Sequence, residues 1–299
     1  MGKDKRVITR RDFIRAGSCV AMGSLMGLPL LAHSSVKTPT KSRVVLIRNQ
    51  NALDKDGSPR PEILQDMLDQ AVTTLLDVPD PVVAWKQLVR PSDIVGIKSN
   101  VWYYLPTPKP LETAIIKRLV DAGVSKEKVS VDDRGVRKNP VFKQSTALIN
   151  IRPMRTHHWS GLGTLIKNYI TFVRLPWRYH SNACEKLGVI WQRPHVRGKT
   201  RLNILVMLTP LFHGIGPHHF SRRYTWPYSA LIVSTDPVAA DATGARIIQA
   251  KRDAFFGKES PISPPPLHIA VADAHFGLGN SNPARIQLLK LGWERDVLI

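Results

Sequence analysis

The chain is short of cysteine and of acid. Two cysteines, Cys19 and Cys184, stand among 299 residues, too few for a zinc ribbon or a cysteine-held iron-sulfur cluster. Asp and Glu number 23 against 43 Lys and Arg, a formal net charge of +20. Such an excess draws phosphates, carboxylates, anionic headgroups or nucleic acid through a long-range field. The cations are scattered rather than gathered in one run, and scattered charge equally fits a surface that keeps a protein soluble. There is no internal repeat and no low-complexity block. Among short signatures, H-E-x-x-H, the Walker and dinucleotide glycine fingerprints and the Gly-x-Ser-x-Gly elbow are all missing. The length itself suffices for a substantial core.

What is present begins with the N-terminus. Thr9-Arg10-Arg11-Asp12-Phe13-Ile14-Arg15 has the two arginines, spacer, Phe, aliphatic residue and cation of a twin-arginine export signal. A Gly-broken, moderately apolar run follows from 16 to 32, short for a membrane span. Ala32-His33-Ser34 offers the small residues a signal peptidase reads, so cleavage is expected near Ser34, with an uncleaved anchor as the alternative. The expected organisation is a signal over 1–34, a polar linker over 35–42 and one domain over 43–299. The partner during export is the twin-arginine translocase, and the destination is the periplasm, where nucleic acid is not an expected ligand. Cleavage would leave Cys184 alone, so no internal disulfide and no iron-sulfur cluster is expected, and any metal would sit on His and carboxylate. The basic excess survives, because the first 34 residues hold only six cations against Asp4 and Asp12.

Residues 43–48 (R-V-V-L-I-R) read as a buried strand, and apolar residues recur at helical spacing from Pro61 to Leu75. A strand over 93–97 delivers Lys98 and Asn100 at its C-terminal end. An amphipathic helix through Leu111, Ile115 and Leu119 follows, then a strand over 128–132 with Asp132, Asp133 and Arg134 at its tip. A fourth strand over 146–151 leads into a polar stretch from Pro153 to His180. Helical character is expected again over 181–187, strands over 202–208 and 230–234, and a helix capped by Asp236 with Pro237 in its first turn. A last helix is expected over 267–276, and a strand near 285–290. The alternation predicts an α/β fold with a mixed, mostly parallel sheet and helices on both faces. In such sheets ligands bind at the C-terminal strand ends.

Seven of the ten histidines fall between positions 157 and 219. Neutral imidazole serves as metal ligand and as proton carrier, and a surface position is the plain alternative for each. Lys98 and Lys167 are candidate anion holders, the second beside an expected glycine turn at Gly161-Leu162-Gly163. Asp132 and Asp133 would serve as a carboxylate pair, or simply close a turn against Arg134. Asp236 is explained as a helix cap, whereas Asp241, further into that helix, needs a partner if buried. Cys184 lies four residues after His180, one helical turn away if that segment is helical.

Together these segments resemble the domain-of-unknown-function 362 family (DUF362). The likeness runs from about Val95 to the C-terminus. It rests on I-K-S-N (Lys98, Asn100), the acid at Asp132, P-M-R-T-H (His157), L-I-K-N (Lys167, Asn168), R-Y-H (His180), G-I-G-P (Gly216, Pro217), T-D-P-V-A-A-D-A (Asp236, Asp241) and a late G-L-G turn. The family has no assigned reaction. Some members carry a Cys-rich ferredoxin-type module that this chain lacks, so that role does not transfer. Two departures stand out: Arg155 replaces the usual Lys, and Val206 or Met207 stands where an acid is often found.

The resemblance selects a site. His157, His180, Asp132 and Lys167 are the candidate catalytic groups. Lys98, Asn100, Asn168, Gly216, Pro217, Asp236 and Asp241 are the candidate ligand-binding positions. The expected function is an exported protein with a strand-end pocket for an anionic small molecule, metal assistance being left open, its metal and cofactor unassigned. The alternative is a non-enzymatic basic protein that binds envelope polyanions through its net charge.

Overall fold

A computed structural model describes residues 41–214, 220–257 and 260–299. The expected signal and cleavage site, and Gly216 and Pro217, lie outside the described residues.

The chain runs β1 (Ser42–Arg48), α1 (Pro61–Leu76), α2 (Pro81–Leu88), β2 (Val95–Lys98), α3 (Lys109–Asp121), β3 (Val129–Asp132), α4 (Pro140–Gln144) and β4 (Ala147–His157). It continues through β5 (Gly161–Gly163), α5 (Leu165–Asn168), α6 (Gly188–Trp191), β6 (Thr200–Leu211), β7 (Ala230–Ser234), α7 (Pro237–Phe256), α8 (Leu267–Ala274) and β8 (Ile286–Gly292). The strands form one eight-stranded sheet in the order β3-β2-β4-β6-β7-β1-β8, with β5 paired to β4. β3, β2, β4 and β6 are mutually parallel, as are β1 and β8, while β7 runs antiparallel to both its neighbours. This is the mixed, mostly parallel α/β sheet the alternation predicts.

Two apolar cores lie on the two faces. Val45, Ile47, Ile97, Ile149 and Ile151 pack under α1, α2 and α3. Leu46, Leu148, Met154, Leu205 and Ile232 pack under α7, α8 and the segment from α5 to α6. Alternation along each strand sorts the residues between these faces.

Local signals explain most boundaries. Pro61, Pro81, Pro140 and Pro237 open helices, where the missing N–H has no partner to lose. Asp236 caps α7 by accepting N–H bonds from Val238 and Ala239 at 2.8 and 2.9 Å, as expected. It also holds the late turn through the N–H of Asn280 at 2.8 Å, so it belongs to the scaffold.

Three local expectations need correction. β4 continues through His157 rather than ending at Ile151, with a register irregularity against β6 between Pro153 and Arg155. Gly161-Leu162-Gly163 is a strand paired with Arg155–His157, not a turn. Over 181–187 the chain forms a 3-10 segment broken by left-handed Ala183 and Cys184 (φ 49° and 63°). The helical spacing of His180 and Cys184 therefore does not hold.

Candidate functional site

The C-terminal ends of β2 and β4 project polar side chains into the core beside α5. Lys98, the last residue of β2, is fully buried. Its Nζ reaches Asp133 Oδ1 at 2.5 Å, the Ser99 carbonyl at 2.7 Å and Asn168 Oδ1 at 3.3 Å. Burial pulls the Lys98 pKa down to about 8 although Asp133 opposes it. For Asp133, burial pushes upward, but Lys98 and the Val101 N–H outweigh it and hold the carboxyl below its ordinary value. Asn168 ties the two strands together, its amide donating to the Lys98 carbonyl, Asn150 Oδ1 and the Ile151 carbonyl at 2.9–3.2 Å.

β4 contributes two arginines. Arg155 donates to Asn100 Oδ1 at 3.1 Å and stacks over Trp102 at 4.2 Å from the ring centre. Its Nε and the Nε of Arg152 have no hydrogen-bond partner although both are buried. Burial lowers Arg152 to about 10 and Arg155 well below its ordinary value. Gly163 makes their approach feasible: a Cβ there would lie 2.9 Å from an Arg152 guanidinium nitrogen and 3.2 Å from Arg155 Cγ. Gly161 has a different reason, a left-handed φ of 68° and a Cβ position 2.0 Å from the Pro264 carbonyl oxygen.

α5 supplies Lys167, whose Nζ meets the Cys184 thiol at 3.4 Å and no other hydrogen-bond partner among the described residues. Burial brings it to about 8. Burial also raises the Cys184 thiol, against the pull of Lys167. The single turn of α5 is held from outside: Asp241 accepts the N–H groups of Leu165 and Ile166 at 2.8 and 2.9 Å. Those are the partners that a buried Asp241 requires. Its burial raises the carboxyl to about 7 despite the two bonds.

Histidines line the same region, and burial keeps His157, His180 and His268 neutral. His157 accepts the Trp159 N–H at 3.2 Å. Burial, then Lys167, Arg152 and Arg155, push its pKa far below the ordinary value. His158 stacks on it, with ring centres 4.9 Å apart, and His180 stacks on Trp159 at 4.0 Å. Burial and Lys167 bring His180 to about 4. His268, on α8, meets the Thr164 hydroxyl at 2.9 Å and is lowered to about 3, again by burial before Lys167 and Arg152.

Lys98, Asn100, His157, Lys167 and Asn168 thus share one buried region, and His180 stands beside it through Trp159. Asp132 turns away: it accepts the Gly135 N–H at 2.8 Å and the Asn139 amide at 3.0 Å. Its neighbour Asp133 takes the place by Lys98. Arg152, Asp133 and His268 are the members that residue patterns did not single out, or ranked below a neighbour. Position on the inward-facing series Leu148, Asn150, Arg152, Met154 is the signal for Arg152. Among the described residues, no group of three or more His, Cys, Asp or Glu converges to hold a metal ion. No described helix is long and apolar enough to cross a membrane. A mainly apolar cavity of about 320 Å³, lined by Leu53, Tyr104, Pro153, Val206 and Leu208, touches none of Lys98, Arg152, Arg155 and Lys167.

Fold and site define a strand-end cluster in a mostly parallel α/β sheet. Residues 122–246 match the family model described as Domain of unknown function (DUF362), which supports the resemblance over a shorter span than Val95 to the C-terminus. No curated protein and no solved structure matches the chain.

Proposed function

We propose that the buried cluster binds a small anion, in a protein delivered to the periplasm by the twin-arginine route. One observation carries the reading, a charge imbalance in the interior. Lys98, Arg152, Arg155 and Lys167 are 0, 3, 5 and 2 % exposed, and the carboxylates that act on them are Asp133 and Asp241, with a weaker influence from Asp132. Asp241 is itself half-neutralised near pH 7. An uncompensated buried charge costs on the order of several kcal/mol, so a fold that retains this excess gains by taking up an anion. Arg152 and Arg155 have donors to spare, and a guanidinium suits carboxylate or phosphate equally. Neutral His157 and His180 add polar edges without adding charge. The metal-assisted form has no triad of ligands among the described residues, so here the cations carry the anion.

The test is calorimetric titration of the full chain with inorganic phosphate, sulfate and small carboxylates. Lys167→Ala is expected to weaken the best of these by about tenfold or more while leaving the circular dichroism spectrum unchanged. Equal affinity in the variant, or no binding by the parent, would count against the reading.

A further inference from the structure

A second cationic feature lies on the surface, and none of the four cations of the buried cluster is among the described residues that line it. Two adjoining cavities of about 330 and 140 Å³ share Arg137, Phe172 and His195 in their walls. Arg174, Arg178 and Arg193 line the larger, and Lys143 the smaller. These cations come from three separate parts of the chain: the loop after β3 and α4, the 3-10 turn Pro176–Tyr179 with its approach, and the segment after α6. No Asp or Glu stands among the described residues that line either cavity. None of the ion pairs among the described residues engages Arg137, Arg174, Arg178 or Arg193. Arg193 is steadied instead by the Tyr179 hydroxyl at 3.0 Å. Phe172 gives the run a fixed wall, packed against Phe142 and Tyr169.

We propose that this cleft is a second anion site that takes a soluble chain of linked phosphates. Two adjoining cavities that share a guanidinium wall and hold further cations in each suit a ligand that carries several linked charges. Each guanidinium offers a planar fork to a phosphate oxygen pair. Phosphate groups place more charge in a small volume than carboxylates do, which suits five Arg and Lys side chains around a narrow cleft. The free N–H donors and the missing carboxylates distinguish this place from a surface of paired charges, where ligand gain would be small. The inference does not depend on the buried cluster, and its failure would leave that reading intact.

The experiment titrates the full chain with inorganic triphosphate, orthophosphate and citrate by calorimetry, in the parent, in Arg174→Ala/Arg178→Ala and in Lys167→Ala. Triphosphate is expected to bind at least about tenfold more tightly than orthophosphate or citrate. The double arginine variant should lose about tenfold or more of that affinity, and Lys167→Ala should keep it. The substituted arginines are exposed, so folding is not at risk, and circular dichroism checks this. Three results would overturn the assignment: loss in Lys167→Ala rather than in the arginine variant, citrate binding as tightly as triphosphate, or binding confined to anionic phospholipid vesicles.

Discussion

At the scale of single residues, the cluster depends on which of two adjacent acids faces inward. Asp133 neutralises Lys98, and Asp132 closes its own loop. Removing one partner of a buried pair leaves the other charge stranded, at a cost of roughly 3–5 kcal/mol. Removing Asp132 forfeits hydrogen bonds worth about 1 kcal/mol each. Asp133→Ala should therefore destabilise the protein far more than Asp132→Ala in urea unfolding. The reverse order would contradict this division of roles. Arg155 carries a parallel lesson: a Lys at this place would lack both the planar stack on Trp102 and the fork that leaves donors free after bonding Asn100.

At the scale of elements, α5 is too short to stand alone and is held by a residue 75 positions away. Asp241→Ala would strip the acceptor from two N–H groups at once and is expected to cost about 2 kcal/mol, measured as a lower urea midpoint. An unchanged midpoint would mean the Thr164 cap suffices. Strands such as β1 and β7 were legible because unbroken β-branched runs fit a fully buried strand. α7 was legible from Asp236 and Pro237. The end of β4 was not, because Pro153 and the polar R-T-H after it read as the close of a strand. There the sheet continues through an irregularity, and Arg155, Thr156 and His157 are buried instead of facing water. α2 was overlooked although Asp80 caps it and Pro81 opens it. The site's membership was half legible. Lys98, His157, Lys167 and Asn168 came through the family likeness, whereas nothing in the order of residues tells a buried Arg152 from a surface one.

At the scale of the whole molecule, the interior cations tie stability to pH. Lys98 and Lys167 titrate near 8 in the fold against an ordinary value of 10.5. Between those values the unfolded chain holds more protons, so stability rises with pH and the penalty is complete below about pH 8. Below pH 7 the trends oppose one another. Asp241, raised to about 7, favours the fold as pH falls, while His180 and His268, lowered to about 4 and 3, disfavour it. Over pH 8–10 the two lysines drive stability upward, opposed in part by the Cys184 thiol, which burial raises from its ordinary value. There the free protein should gain on the order of 2–4 kcal/mol, since one pKa unit is worth about 1.4 kcal/mol. Saturating anion should flatten that slope by keeping both lysines charged.

The central claim, that the interior holds cations waiting for an anion, meets its most direct test in Lys167→Met. Methionine keeps nearly the same volume and removes the charge, and replacing buried charge with apolar side chains is often stabilising. On the Arg174→Ala/Arg178→Ala background, which removes the surface cleft, and in phosphate-free buffer at pH 7, the urea midpoint should rise when Lys167→Met is added, and the midpoint increase given by a bound anion should disappear. A lower midpoint, with the anion-induced increase retained, would show that Lys167 is a structural residue and contradict the account.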